Sequence, residues 1–153
     1  MKKVLNALLF IVSFMWQLPQ SLVGLIMLIY FKICGDVHLI SYKKLCFAYR
    51  SKYMSGGISL GNFAFLSERL AQKEEYIAHE QLGHTWDSKL MGPLYLLIVG
   101  LPSLLNAMFD FTECYYDWFP EKWANKHAGL ETYTSEYYSK CQIRFKENNE
   151  QKQ

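Results

Sequence analysis

Apolar residues are concentrated in two stretches of this 153-residue chain, and a proline interrupts each of them. The first stretch has an apolar run from Val4 to Trp16 and another from Leu22 to Phe31, with Gln17-Leu18-Pro19-Gln20 between them. The second stretch extends from Leu94 to Phe111 and contains Gly100-Leu101-Pro102-Ser103. A helix needs about 20 apolar residues to cross a bilayer, so the second stretch is about long enough. The pattern predicts two apolar, membrane-associated segments.

The N-terminal segment, residues 1–32, begins with the basic sequence Met1-Lys2-Lys3. A cleaved signal peptide would end in a small-x-small site after one short apolar run. Here hydrophobicity resumes after Pro19, and no such site is evident. We therefore expect a retained membrane-associated segment that is broken at Pro19. The alternative is a buried hairpin in the core of a soluble protein.

Three stretches between the apolar segments have the composition of short strands. Val37 to Ser41 and Leu45 to Tyr49 are candidate strands, although neither alternates cleanly. Ile58 to Leu66 is rich in β-branched and aromatic residues, and Gly61-Asn62 interrupts it. This interruption predicts either a bulged strand or a tight hairpin.

Helical patterns follow the predicted strands. Ser67 can cap a helix that begins near Glu68 and continues to Leu90, where Gly92-Pro93 ends it. Pro120 suits the first turn of a helix that carries Glu121 to His127, and Tyr133 to Phe145 predicts a last helix. The fold class is therefore α+β and mainly helical. We expect one domain at 33–145, which includes the apolar segment 94–111, and a polar tail at 146–153.

Composition, charge and cysteine spacing argue against nucleic-acid binding, a disulfide framework and a thiolate zinc site. A net charge of +2, with no long basic stripe, gives no support for a nucleic-acid partner. The four cysteines are far apart and show no paired spacing, which favours small core residues over a disulfide framework or a thiolate zinc site.

His79, Glu80 and His84 form the pattern with the clearest chemistry. Catalytic zinc typically takes three protein ligands, leaves a position for water and needs a nearby carboxylate as base. The two histidines are five residues apart, so they would point about 140° apart on a regular α-helix. Either Glu80 and His84 ligate together and leave His79 free, or the helix widens by one residue as a π-bulge. Gly83 favours such a distortion because it lacks a Cβ.

The string His79-Glu80-Gln81-Leu82-Gly83-His84 resembles the His-Glu-Leu-Leu-Gly-His motif of the dipeptidyl peptidase III family, with five of the six positions identical. In that family both histidines bind zinc and the glutamate is the general base. The resemblance implies zinc as the cofactor, His79 and His84 as ligands, and Glu80 as the catalytic base. It is confined to these six positions.

The string Glu121-Lys122-Trp123-Ala124-Asn125 resembles the Glu-x-x-Ala-Asp helix of gluzincin peptidases. There the glutamate is the third zinc ligand, and the aspartate holds the outer nitrogen of a ligating histidine. The resemblance implies Glu121 as the third ligand and Asn125 as a neutral, weaker support. His127 is poorly placed as a ligand but is a candidate stabiliser of a tetrahedral oxyanion. We expect His38 to have no part in the site.

Taken as a whole, the chain is similar to small bacterial membrane proteins that combine a His-Glu-x-Gly-His-Thr segment, a Gly-Pro-Leu-Tyr-Leu stretch and a Glu-Lys-Trp-Ala-Asp helix. This resemblance implies the bacterial inner membrane as the location. A segment 94–111 that crossed the bilayer would separate His84 from Glu121. Either the segment turns back at Gly100-Leu101-Pro102, which is the simpler arrangement, or the site lies within the membrane. Positive charge at Lys2-Lys3 and from Lys32 to Lys52 predicts a monotopic protein on the cytoplasmic face.

The sequence thus predicts a minimal zincin-like core in a membrane-associated zinc hydrolase, most simply a metallopeptidase. Its expected partners are membrane lipid and a peptide or protein substrate, which would pair with the strand at 58–66. One alternative is a catalytically inactive zincin-fold scaffold or partner-binding protein of the membrane. Another is a plain membrane anchor that binds no metal.

Overall fold

The computed structural model describes residues 2–109 and 118–130. The predicted helix at 133–145, the predicted tail at 146–153 and the end of the second apolar segment at 110–111 lie outside these residues. The described chain is α+β, with helices on both faces of a four-stranded sheet, so the predicted fold class is confirmed at that level.

Two helices form the N-terminal segment: α1, Lys2–Trp16, and α2, Leu18–Ile33. Their axes differ by 107°, and the break falls at Gln17. Pro19 lies in the first turn of α2, where its missing N–H leaves no intrahelical hydrogen bond unmade. The side-chain amide of Gln20 donates hydrogen bonds to Ser88 Oγ at 3.1 Å and to the carbonyl of Gly92 at 2.7 Å. The polar break between the two apolar runs is therefore one of the places at which this segment is attached to the rest of the protein.

The sheet consists of β1, His38–Lys43, β2, Cys46–Ser51, β3, Gly57–Leu60, and β4, Phe63–Ser67. Its strand order is β1-β2-β4-β3. The central pair β2 and β4 is parallel, and the two outer pairs are antiparallel. Gly61-Asn62 forms the turn of the β3–β4 hairpin, which confirms one of the two predicted possibilities. The candidate strands near residues 37 and 45 are also present, with ends shifted by one or two residues.

The central strand β4 is buried on both faces, which explains its unbroken run of apolar residues. Phe63 and Phe65 pack against Leu28 and Phe31 of α2. Ala64 and Leu66 point to the opposite face, towards Tyr76 and Ile77. The sheet thus separates the N-terminal helices from the helices that carry the His-Glu motif.

The helix with the His-Glu motif begins at Glu74, so the prediction of a start near Glu68 was wrong. Ser67 remains in β4, a short 3₁₀ turn covers Leu70–Gln72, and Lys73 has an extended backbone. The Ser67 hydroxyl accepts a hydrogen bond from the Leu70 N–H, so it caps the 3₁₀ turn instead of an α-helix. The helix then contains α3, Glu74–Ala78, a π-helical turn, His79–His84, and α4, Thr85–Met91.

The second apolar segment turns sharply, but not where the sequence placed the turn. The helical axis bends by 116° between Leu94 and Leu96, whereas Gly100-Leu101-Pro102 is helical. Pro102 lies in the first turn of α5, Leu101–Phe109, where a proline is tolerated. The last described helix, α6, Phe119–Ala128, has Pro120 in its first turn and ends at Gly129, as predicted.

No single helix among the described residues is both long enough and apolar enough to cross a bilayer. The two bent pairs, Lys3–Trp16 with Leu18–Ile33 and Glu74–Leu94 with Leu96–Asn106, reach the required length and hydropathy only when each pair is taken together. Many large apolar side chains of these helices are nevertheless exposed, and on α1 they include Val4, Leu5, Leu8, Ile11, Val12 and Met15. α1 is therefore largely exposed, whereas α2 also buries Leu28 and Phe31 against the sheet.

Candidate metal centre

The π turn His79–His84 brings the two histidine side chains to the same side of the helix. Their ring centroids lie 4.8 Å apart, which a regular α-helix does not allow at five-residue spacing. The expected π-bulge is therefore present. Around it, the Thr85 hydroxyl donates to the Gln81 carbonyl, and the Gln81 side-chain amide donates to the Cys46 carbonyl at 2.8 Å. The bond from Gln81 holds the wide turn against β2, and the bond from Thr85 lies within the helix itself.

Gly83 allows helix α6 to approach the π turn closely. A Cβ on Gly83 would lie 2.7 Å from the carbonyl carbon and 2.9 Å from the Cα of Ala124, which is inside van der Waals contact. Ala124 itself is fully buried. From its sequence position, Gly83 was expected to favour the helix distortion. In the structure, any larger residue at this position would also push α6 away.

Close packing of α6 places Glu121 beside both histidines. Glu121 Oε2 lies 3.0 Å from His79 Nε2 and 3.4 Å from His84 Nε2, and all three side chains are buried. One ligand atom from each residue lies within 4.8 Å of the other two. Zinc bond lengths of about 2.0–2.1 Å place tetrahedral ligand atoms roughly 3.4 Å apart, so these separations are close to those of a metal site. His79, His84 and Glu121 could therefore hold a metal ion.

The atoms of His79 and Glu121 that face away from this centre have partners of their own. His79 Nδ1 lies 2.7 Å from Asn125 Oδ1 and donates a hydrogen bond to it, which leaves Nε2 directed at Glu121. The Ser103 hydroxyl donates to Glu121 Oε1 at 3.2 Å, so the second apolar segment contributes directly to the site. Asn125 was a predicted support, whereas Ser103 was not. No local sequence pattern connects Ser103 with Glu121.

Asp87, which the sequence analysis did not identify, lies beyond His84. Its Oδ2 is 3.7 Å from His84 Nδ1, and its Oδ1 is 2.6 Å from His127 Nδ1. The spacing of three residues from His84 was the available signal, since such pairs share a helix face. His127 was predicted to stabilise an oxyanion; in the structure its Nδ1 contacts Asp87 and not the three-residue group.

Opposite charges dominate the electrostatics of the centre. Burial alone would raise the pKa of the Glu121 carboxyl, but the charge of His84 and the hydrogen bonds from His79 and His84 hold that pKa well below its usual range. Burial alone would lower the pKa of His84, but the charge of Glu121 and the contacts with Asp87 and Glu121 hold it well above its usual range. The pocket is therefore built around a negative carboxylate and favours a positive charge next to it.

Glu80 lies on the adjacent side of the π turn, against strand β3. The Ser59 hydroxyl contacts Glu80 Oε2 at 2.7 Å and its backbone carbonyl at 2.8 Å. A Cβ on Gly57 would lie 2.8 Å from Glu80 Cδ, so β3 passes directly over this carboxylate. Of the two arrangements left open by the sequence, the structure brings together His79, His84 and Glu121, and it directs Glu80 to Ser59.

The remaining candidates lie apart from this centre. His38 is in β1, with its Nε2 3.9 Å from Asp36. Cys34 is half-buried, Cys46 is buried, and both are free thiols, while Cys114 and Cys141 lie outside the described residues. Burial raises the pKa of the Cys46 thiol to about 12, so it is an inert core residue.

Comparison with family models, curated proteins and solved structures finds no match to this chain.

Proposed function

We propose that this chain is a membrane-associated zinc hydrolase, most simply a peptidase. The observation that carries the proposal is the convergence of His79, His84 and Glu121, which come from two separate helices and form a buried group whose ligand atoms lie within 4.8 Å of one another. A chance group of buried ionisable residues would have no reason to require a π turn. The distortion and the close approach of α6 are the features expected of a site built for a shared ligand.

The donor set favours zinc over magnesium and calcium. Two imidazoles and one carboxylate are a frequent ligand set of catalytic zinc, whereas magnesium and calcium prefer oxygen ligands throughout. Asn125 orients one imidazole through its outer nitrogen, as metal-bound histidines require. Three protein ligands leave a position at which water can bind.

Glu80 is the base in this proposal. Zinc, when bound, lowers the pKa of water and polarises a substrate carbonyl. With zinc bound, Glu80 would take the proton of the attacking water and pass it to the leaving amine. The Ser59 hydroxyl holds Glu80 Oε2 at 2.7 Å, so the carboxylate is oriented before substrate arrives. Strand β3 is the edge of the described sheet beside Glu80, and an extended peptide would pair with it.

The membrane association rests on the exposed apolar side chains of the bent helix pairs. Ile26 on α2 is 66% exposed and Leu97 in the second segment is 64% exposed, although such side chains are normally withdrawn from water. The helix axes within the two pairs differ by 107° and 116°, so neither pair forms one straight membrane span. We propose that both pairs insert into one leaflet of the bacterial inner membrane from its cytoplasmic face and do not cross it.

Metal analysis of the purified protein tests the zinc assignment. We expect about one zinc per chain, and a strong loss in the variants His79→Ala, His84→Ala and Glu121→Ala. His38→Ala and Glu74→Ala are matched controls, because they remove the same side-chain types outside the pocket, and they should retain full zinc. A full equivalent of zinc in Glu121→Ala would contradict the ligand assignment.

The rival function is a catalytically inactive scaffold or partner-binding protein that keeps the zinc site. The neutral Asn125 is the feature that favours it, since an amide supports a ligating histidine less strongly than a carboxylate. A peptide library incubated with zinc-loaded protein and analysed by mass spectrometry separates the two functions. Cleavage that is lost in His84→Ala supports the hydrolase, whereas full zinc without any cleavage supports the scaffold.

A further inference from the structure

Asp87 carries a buried carboxylate that has no role in the ligand set proposed above. It lies in α4, three residues after His84, and its side chain is wholly removed from solvent. A carboxylate in such a place must be paired or hydrogen-bonded, since burying an isolated charge is strongly unfavourable. Its two oxygens face two different histidines, His84 and His127.

The contact with His127 is a complete hydrogen bond, at 2.6 Å from Nδ1 to Asp87 Oδ1. The contact with His84 is incomplete. Asp87 Oδ2 and His84 Nδ1 are both buried and, within the described residues, neither has a hydrogen-bond partner. They lie 3.7 Å apart, a few tenths of an ångström beyond hydrogen-bond distance. Each atom thus offers the partner that the other lacks.

We propose that Asp87 is a positioning residue for His84. Its Oδ2 accepts a hydrogen bond from the Nδ1–H of His84, which fixes the ring orientation in which Nε2 lies beside Glu121 and is the atom that would bind the metal. His127 holds the other oxygen of Asp87 and so sets the direction of the carboxylate. The inference rests on the proposed zinc function, since it concerns how a ligand of that site is oriented.

In this arrangement one of the two histidines, His84, is oriented by a carboxylate, whereas His79 has only the amide of Asn125. Asn125 orients His79 through a neutral amide, whereas Asp87 orients His84 through a charged group. A carboxylate on the outer nitrogen makes a ligating imidazole more basic and holds its ring plane. The two histidines therefore have unequal supports, and His84 has the stronger one. In this arrangement His127 acts on the site through Asp87, because its Nδ1 is bonded to that carboxylate.

Zinc affinity, measured by competition with a chromophoric chelator, tests the proposal on the full-length protein. Asp87→Ala should weaken zinc binding by about 10- to 100-fold, the range typical for loss of an outer partner of a ligating histidine. Asp87→Asn keeps the shape and one acceptor oxygen, so its loss should be smaller. Asp36→Asn is the matched control: it removes a largely buried carboxylate that bonds Ser51 and the Lys52 N–H in another part of the fold, and it should leave zinc affinity unchanged.

Two spectroscopic measurements separate positioning from a general structural effect. The absorption of the cobalt-substituted protein should change in Asp87→Ala and not in Asp36→Asn. In ¹H–¹⁵N spectra of the zinc-loaded protein, the Nδ1–H proton of His84 should exchange slowly with water in the wild type and faster in Asp87→Ala, which lacks its acceptor. His127→Gln should weaken zinc binding in the same direction as Asp87→Asn, whereas a direct oxyanion role would lower hydrolysis and leave zinc affinity unchanged.

The outcomes are distinct. A folded Asp87→Ala protein with wild-type zinc affinity and an unchanged cobalt spectrum would overturn this inference and leave the proposed function intact. A wild-type protein without zinc would overturn both. Should Asp87→Ala fail to fold, Asp87→Asn and His127→Gln decide the question, and wild-type affinity in both would reject the positioning role.

Discussion

The candidate metal centre requires a residue without a side chain at position 83, which is Gly83. In Gly83→Ala, the new Cβ would meet the Ala124 backbone, which cannot move without shifting α6 and with it Glu121. We expect a loss of about 1–3 kcal/mol in the free energy of unfolding, as for other overpacked positions, together with weaker zinc binding. Thermal unfolding and metal analysis check both effects.

Gly56→Ala is the matched control for this prediction. A Cβ on Gly56 would have no neighbour within 4 Å, so both stability and zinc content should remain close to those of the wild type. Equal behaviour of the two alanine variants would show that α6 does not need its close approach at Gly83.

Glu80 is expected to act as a base and not as a ligand, because its carboxylate bonds Ser59 and lies outside the three-residue group. Glu80→Gln keeps the size of the side chain but cannot take a proton from water. It should retain about one zinc per chain and lose hydrolysis by a factor of roughly 10²–10⁴. Loss of zinc in this variant would instead favour Glu80 and His84 as the ligand pair.

Asp36 provides a prediction of pH dependence away from the metal centre. The hydrogen bond from the Lys52 N–H, with a smaller contribution from Ser51, lowers the pKa of this carboxyl in the folded chain. A lowered folded pKa stabilises the fold above the unfolded value of about 3.9, and that stability is lost as the pH falls through the folded pKa. Asp36→Asn should therefore lower the midpoint of thermal unfolding at pH 6, and the difference from wild type should shrink below about pH 4. A difference that grew towards acid pH would contradict this sign.

At the scale of elements, the π turn sets both the geometry of the candidate metal centre and the rotation of α4, which follows it directly. Deleting Leu82 restores four-residue spacing between the histidines and keeps a glycine before the second one. It also rotates α4 by about 100°, against its contacts with the N-terminal break at Gln20 and Trp16. We expect the deletion variant to keep measurable zinc affinity and to lose stability, as measured by chelator competition and thermal unfolding.

The opposite result would also be informative. A deletion variant that is as stable as the wild type would show that α4 is not fixed by the Gln20 and Trp16 contacts. Complete loss of zinc would show that the site requires the wide turn itself and not only a shared helix face.

At the scale of the whole molecule, the exposed apolar side chains predict insertion into one leaflet. Ile26→Glu and Leu97→Glu should each lower the fraction of protein bound to anionic phospholipid vesicles. Removing one such side chain from the lipid costs about 1.5–3 kcal/mol, which is roughly tenfold or more in partition coefficient. Ile26→Leu is the control, since it keeps an apolar residue at the same place. Unchanged binding of both glutamate variants in a flotation assay would reject the proposed membrane face.

The sequence by itself predicted the α+β fold class, limited residues 58–66 to a bulged strand or a tight hairpin, and constrained the local geometry of the His-Glu motif. These features depend on short-range constraints: glycine and asparagine in a tight turn, proline in a first helical turn, and the fixed angle per residue of a helix. If His79 and His84 bind one metal, their five-residue spacing alone requires a wide turn, and the structure contains that turn. Helix ends were less determined, because Ser67 could equally cap a 3₁₀ turn or end a strand.

Only the tertiary structure decided which distant groups complete the site. Ser103 reaches Glu121 because the second apolar segment bends at Tyr95, and nothing in the local sequence distinguishes that bend from one at Gly100-Leu101-Pro102. Asp87 was within reach of a helix-spacing argument from His84, but its link to His127 depends on how α4 and α6 pack. Local patterns constrain backbone dihedrals over a few residues, whereas contacts between segments depend on the packing of the whole chain.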